Sequence, residues 1–139
     1  ILAALTLGAD GVQIGSRFVP THESSAHINF KNAVIASKEG DTLLTLKELT
    51  PVRLLKNEFF NKVQASYANG TSIEELTTLL GRGRAKKGMF EGDLIEGELE
   101  IGQVAGLFDK IQSAKEVMEE LIQGYHAALK EKTTEKYNF

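Results

Sequence analysis

The sequence contains no cysteine, which excludes disulfides, Cys-ligated zinc, iron–sulfur clusters and thiol nucleophiles and leaves any redox chemistry to a bound cofactor. Proline is scarce, with two among 139 residues, and hydrophobic residues make up 42% and charged residues 25%. That composition belongs to globular chains, not to disordered or collagen-like ones. No apolar run approaches the roughly 20 residues of a membrane-spanning helix, and the first residues carry neither the basic region nor the cleavage site of a signal peptide. A cytoplasmic location is therefore expected. Excess positive charge is also missing: sixteen Lys and Arg against nineteen Asp and Glu give a net charge of -3. The whole-chain field does not attract a polyanion, which disfavours a general nucleic-acid or acidic-membrane binder. The length suits one ordinary domain. The chain opens on Ile1, already inside the apolar run Ile1-Leu-Ala-Ala-Leu-Thr-Leu7, and this reads as a cut end.

Along the chain, Ile1–Leu7 fits the end of a helix that Gly8 leaves through a left-handed conformation. Gly11–Phe18 alternates, with Val12 and Ile14 on one face, and predicts a short buried strand. After Pro20, Thr21 or Ser24 is expected to cap a helix to about Ser37, with Phe30, Ala33 and Val34 on one face. Thr42–Leu46 reads as a short extended piece, and Thr50-Pro51 as the start of a helix using Val52, Leu55, Phe59 and Val63 to about Tyr67. Thr71-x-x-Glu74 and Ser72-x-x-Glu75 both read as capping boxes for a helix with Ile73, Leu76 and Leu80 inward, stopped by Gly81. Residues 81–102, interrupted by Gly81, Gly83, Gly88, Gly92 and Gly97, predict an irregular, folded loop. Ser113-x-x-Glu116 caps a last helix with Ala114, Val117, Met118, Leu121, Tyr125 and Ala128 in one stripe, and the tail from Lys130 is expected to fray.

The histidines are the first candidates for chemistry. His22-Glu23-x-x-x-His27 resembles a zincin motif, but five residues of separation turn the two rings roughly 140° apart on a helix, so they cannot share a metal on one face. No metal site is expected, and His126 has no partner near in sequence. Arg82, Arg84, Lys86 and Lys87 stand beside Glu91, Asp93, Glu96, Glu98 and Glu100, nearly cancelling in sign; a solvated loop with local ion pairs is favoured over a nucleic-acid patch. Nothing places two of these carboxylates across a substrate, and none receives a catalytic role. Gly8-Ala-Asp-Gly11 and Gly15-Ser16 carry a better signal. A glycine at the carboxyl end of a strand lets backbone N–H groups and a serine hydroxyl approach a phosphate. A tight strand-to-loop transition without a ligand has the same signature.

Leu5-Thr-Leu-Gly-Ala-Asp-Gly-Val-Gln-Ile-Gly-Ser-Arg-Phe18 with Glu23-Ser-Ser-Ala-His27 resembles the final strand of the nitronate monooxygenases, formerly 2-nitropropane dioxygenases, which are related to the FMN-dependent enoyl-acyl-carrier-protein reductases. The likeness continues through Thr50-Pro-Val-Arg-Leu-Leu-Lys-Asn57, Gly92-Asp-Leu-Ile-Glu-Gly97 and Gly102-Gln-Val-Ala-Gly106 to the last helix. It implies an α/β fold: the C-terminal fragment of an FMN-binding TIM barrel with a mainly helical inserted domain. Residues 1–19 would be the end of barrel helix 7 and strand 8, residues 20–101 the added domain, and residues 102–139 the return segment and closing helix. The resemblance puts Gln13, Ile14, Gly15 and Ser16 at the FMN phosphate and Gln103 on the substrate side, where its flanking glycines would equally permit close packing. It also puts the catalytic base upstream of this chain, so no catalytic residue is assigned here, and neither His22 nor His27 corresponds to it.

The implied activity is oxidation of alkyl nitronates with dioxygen to a carbonyl compound and nitrite. The alternative is NAD(P)H-dependent reduction of an enoyl thioester. With seven barrel strands absent, the isolated chain is expected to be inactive and to expose a strand edge prone to association, which leaves a homo-oligomer open. The implied partners are a small-molecule substrate, nitronate or enoyl thioester, and dioxygen, with no nucleic acid and no membrane. A rival of another class is a non-catalytic helical interaction module or remnant.

Overall fold

Capping side chains and apolar spacing set most of the helices. A computed structural model describes residues 1–133. Helix α1, Leu2–Thr6, ends as expected at Gly8, whose φ of 96° is a conformation that glycine adopts without a Cβ clash. The strand expected over Gly11–Phe18 does not form. The segment runs unpaired to Gly15 and then makes a 3-10 turn, Ser16–Phe18. A strand needs a neighbour for its N–H and C=O groups, and the two strands among the described residues, β1 Thr42–Thr45 and β2 Val52–Leu55, pair with each other.

Helix α2, Ile28–Ala36, starts later than Thr21 or Ser24 would place it. His27 is the cap, its Nδ1 accepting from the Asn29 N–H at 3.1 Å. The earlier residues are occupied otherwise: Lys31 is buried, and its Nζ donates to the Thr21 carbonyl at 2.6 Å and the Ser24 carbonyl at 2.8 Å. A loop that turns its carbonyls toward one ammonium satisfies that buried charge, and it cannot also be wound as a helix. Phe30 and Val34 are buried on the face expected.

The largest difference lies at Val52–Leu55. Helical spacing assigned these residues to the helix from Thr50-Pro51, but they form β2, antiparallel to β1 with Thr42 opposite Leu55 and Thr45 opposite Val52. The helix, α3, covers Glu58–Ala68 and is capped by Asn57. Strand geometry sends adjacent side chains to opposite faces, and this chain uses both. Leu54 packs with Leu46, Phe59, Phe60 and Val63, whereas Leu55 packs with Phe30, Val34, Leu99, Ile101, Ala105 and Phe108. Two strands alone are marginal in water. Here residues 99–101 add a third line: the Leu55 N–H donates to the Leu99 carbonyl at 2.9 Å and the Ile101 N–H to the Arg53 carbonyl at 3.1 Å.

Helix α4, Ile73–Leu80, has the Ser72/Glu75 capping box and buries Leu76. Ile73, expected inward, stands at the first helical position and is 56% exposed. Residues 81–102 are the folded loop expected, with a π-helical turn at Lys86–Phe90. Its glycines allow two backbones to touch: a Cβ on Gly97 would lie 2.2 Å from the Gly88 Cα. Helix α5, Ala114–Lys132, has the Ser113/Glu116 capping box and buries Val117. It continues past Leu129 and past the point where fraying was expected; residues 134–139 of that tail lie outside the described residues. Met118, placed in the inward stripe, is exposed, since it neighbours the buried Val117 one step around the helix. Among the described residues no helix is long and apolar enough to cross a membrane.

Candidate cofactor site

The 3-10 turn at Ser16–Phe18 presents the preceding residues to a cavity of 390 Å³ lined by Gln13, Ile14, Gly15, Ser16, Arg17, Val104, Phe108 and Leu121. All four residues expected at a phosphate thus share one cavity. The 3-10 turn Gln103–Leu107 separates it from a second cavity of 610 Å³, whose lining includes Arg53, Thr42, Gly106 and Gln103. Val104 lines both. Gln103 is exposed and lines that second cavity, not the one lined by Ser16.

Close approach fixes the turn. The Gly102 N–H donates to the Ser16 Oγ at 3.0 Å, and a Cβ on Gly102 would come within 2.7 Å of that oxygen. Gly106 packs on the backbone of Lys38 and Glu39, where a Cβ would meet the Lys38 carbonyl carbon at 2.8 Å. Both glycines therefore serve packing, one of the two readings open from the sequence.

Three features suit an anion such as a flavin phosphate. The Ser16 hydroxyl accepts from Gly102, which leaves its hydrogen to donate. A Cβ on Gly15 would meet nothing within 4 Å, so the backbone there stands open. Among the described residues Arg17 is the one charged residue lining the cavity, although its Nη1, without a hydrogen-bond partner, is buried and so closed to a ligand there. Arg17 received no role from the sequence; a lone cation directly after Gly15-Ser16 is the signal that would have singled it out. Its Nη2 donates to Gln112 Oε1 at 2.5 Å and to Glu120 Oε2 at 2.9 Å, and its guanidinium lies 5.2 Å from the Phe108 ring centre. Hydrogen bonds from Gln112 and then from Arg17 hold the Glu120 carboxyl below its ordinary pKa.

The other candidates resolve into structure. His27 spends Nδ1 on its cap, and its ring fills the space over Gly92, 2.2 Å from where a Cβ would sit. His22 is exposed, and His126 meets Tyr125 edge to face at 5.3 Å. Among the described residues no three His, Cys, Asp or Glu side chains gather at one point. Ion pairs join Lys86 to Glu91 at 3.2 Å and Lys87 to Asp93 at 3.0 Å. Arg84 bridges the Leu80 and Glu96 carbonyls and covers the Phe59 ring at 4.5 Å. Asp93 accepts from the Ile95 and Glu96 N–H groups at 2.9 and 2.8 Å. The Glu96 N–H, then Lys87 and the Ile95 N–H, pull the Asp93 carboxyl from 3.8 to about 2. Glu98 moves the other way: burial, then the nearby Glu100 charge, push its carboxyl up.

These elements define a helix-rich α/β chain, and it is similar to FabK of Thermotoga maritima, with a TM-score of 0.82 and 30% identity over 94% of this chain and 41% of that one. The family model described as nitronate monooxygenase matches residues 1–124. The chain belongs to that family, one of oxidoreductase enzymes. A probable nitronate monooxygenase of Bacillus subtilis is 56% identical over 45 residues, 32% of this chain and 13% of that protein. The (3aS,4S,5R,7aS)-5-hydroxy-7a-methyl-1-oxo-octahydro-1H-indene-4-carboxyl-CoA dehydrogenase of Rhodococcus jostii is 26% identical over an alignment of 159 residues, 88% of this chain and 45% of that protein. The chain spans less than half the length of each of these relatives.

Proposed function

We propose that this chain is the C-terminal part of an FMN-dependent oxidoreductase, a nitronate monooxygenase that oxidises alkyl nitronates with dioxygen. One observation carries the reading: Gln13, Ile14, Gly15 and Ser16 line a single cavity beside the lone cation Arg17, in a chain of this family. The flavin, when bound, supplies the electron transfer. Gln13–Ser16 hold its phosphate with backbone amides and the Ser16 hydroxyl. Val104, Phe108 and Leu121 give the cavity its apolar wall and exclude water from it. Gln103, lining the adjoining space, offers an amide to the substrate's oxygens.

Residues 1–19 and 102–139 belong to the barrel and residues 20–101 to an added domain, although one apolar cluster runs from Phe30 through Leu99 to Ala105 and Phe108 across that last boundary. The proton-accepting base belongs to another part of the parent protein, so the isolated 139 residues are inactive. A second reading, an NAD(P)H-dependent enoyl-acyl-carrier-protein reductase, has the likeness to FabK in its favour.

The test is substrate turnover by the parent protein loaded with FMN. Nitrite release with consumption of nitronate and dioxygen is expected. NAD(P)H-dependent reduction of an enoyl thioester, with no nitrite from nitronates, would replace the first reading by the second.

A further inference from the structure

We infer that Arg53 makes the 610 Å³ cavity an oxyanion site, where its guanidinium holds the two oxygens of the anionic nitronate group. The inference rests on the nitronate reading above and gives the substrate a cation, a role that the sequence did not assign to Arg53. Strand alternation turns Arg53 to the same side of β2 as Leu55. That side packs on Ala105 of the 3-10 turn Gln103–Leu107. Two residues before Leu55 the apolar packing gives way to the cavity, whose wall holds Arg53 with Thr42, Gln103, Val104 and Leu107.

The Arg53 guanidinium is fixed at one nitrogen and free at the others. Both of its side-chain hydrogen bonds come from Nη1, to the Thr42 carbonyl at 3.2 Å and to Thr42 Oγ1 at 3.3 Å. Among the described residues Nε and Nη2 donate to nothing, and neither belongs to the buried atoms without a partner, so both stay open. No ion pair there joins Arg53 to a carboxylate. The Nε and Nη2 hydrogens point in parallel, the edge with which a guanidinium grips two oxygens of one planar anion. Arg17 of the neighbouring cavity has no such edge, since Nη2 is taken by Gln112 and Glu120 and Nη1 is buried. Glu39 lines the Arg53 cavity too, but it is exposed and water screens it, and Lys56 Nζ bonds the adjacent Gly40 carbonyl at 2.8 Å. The Thr42 hydroxyl accepts from Arg53, which leaves its hydrogen to donate, and Gln103 adds an amide.

Nitrate, a planar oxyanion shaped like the nitronate group, is the probe, used on the whole native polypeptide that carries this sequence and loaded with FMN. Phenylglyoxal, which labels accessible arginines, is expected to modify Arg53, as located by peptide mass mapping. Nitrate should suppress that labelling and leave the exposed Arg82 unprotected. In turnover, Arg53→Met is expected to raise the KM for nitronate and the inhibition constant of nitrate together by about 10- to 100-fold. The KM for dioxygen, which is uncharged, should stay within about twofold of wild type. Arg53→Lys, which keeps the charge without the planar fork, recovers part of the loss.

Unchanged nitronate KM and nitrate inhibition in Arg53→Met would overturn the inference. An equal rise in the KM for dioxygen, or loss of FMN, would mean a purely structural role and overturn it too, as would Arg53→Lys no better than Arg53→Met. Should Arg53→Met not fold, labelling of the wild type decides: an Arg53 that phenylglyoxal does not reach, or reaches equally with nitrate present, refutes the site. Wild type that nitrate protects at Arg53, but that reduces an enoyl thioester and releases no nitrite, refutes instead the nitronate reading on which the inference stands.

Discussion

Asn57 joins two segments that lie far apart in sequence, and removing its side chain should loosen both. Its Nδ2 donates to the Leu94 carbonyl at 2.9 Å and the Gly97 carbonyl at 2.8 Å, while its Oδ1 accepts from the Phe60 N–H at 2.9 Å. Loss of an N-cap of this kind costs about 1 kcal/mol, and each of the two loop bonds contributes about 1 kcal/mol net. Asn57→Ala should therefore destabilise the protein by about 2–4 kcal/mol, allowing for carbonyls left without partners. Asn57→Ser keeps a capping oxygen and loses only the loop bonds, so its cost should be smaller by about 1 kcal/mol. Urea unfolding of the native protein, followed by circular dichroism, measures both. With a slope of about 2 kcal/mol per molar urea, the Ala variant's midpoint falls by about 1–2 M. An Ala variant within about 0.5 kcal/mol of wild type, or a Ser variant as costly as Ala, would refute the division into cap and loop bonds.

Other perturbations test the same loop and its charges. Gly97→Ala drives a Cβ to 2.2 Å from the Gly88 Cα, backbone that cannot rotate away; overpacking of this kind costs about 1–3 kcal/mol or more, read as a lower melting temperature. Glu98 has its carboxyl raised in the folded state, so the fold binds its proton more tightly than the unfolded chain does. Its ionisation costs stability as pH rises from the unfolded carboxyl value through the raised folded one. Glu98→Gln should be more stable than wild type at pH 7, and the advantage should vanish below about pH 4; a constant difference across that range would contradict the assignment. Asp93, lowered to about 2, contributes stability that is complete above its unfolded value and is lost as pH falls from about 4 to about 2. Asp93→Asn should show less acid dependence in that window, measured by thermal melts at stepped pH.

Local rules were readable where one residue type has one job. Ser72 with Glu75 and Ser113 with Glu116 form the capping boxes their spacing implies, and Gly8 and Gly81 end helices at φ 96° and 64°. The segments Thr50–Asn57 and Gly92–Gly97 were recognisable as parts of a resemblance, but not as partners. Asn57 supplies the reason they go together: one amide side chain bonds the second segment's carbonyls while capping the helix after the first. Lys31 illustrates what composition conceals. A lysine reads as a solvated charge, yet here it is buried and holds the carbonyls of Thr21 and Ser24.

By itself the sequence determined the family and the helices α4 and α5 with their caps, because caps, apolar periods and short motifs act over a few residues and survive in linear order. Tertiary structure decided the rest. Val52, Leu55, Phe59 and Val63 fit a helical period, but Leu54 and Leu55 each had a different core to fill, and only a strand serves two faces at once. The alternation at Gly11–Phe18 was a sound strand signal with no partner to pair with among the described residues, and backbone hydrogen bonding between strands is a property of two segments, never of one. Arg17 likewise became the charge of the cavity only when folding set the residue against the same space as Ser16, since burial and charge balance depend on neighbours that sequence distance does not reveal.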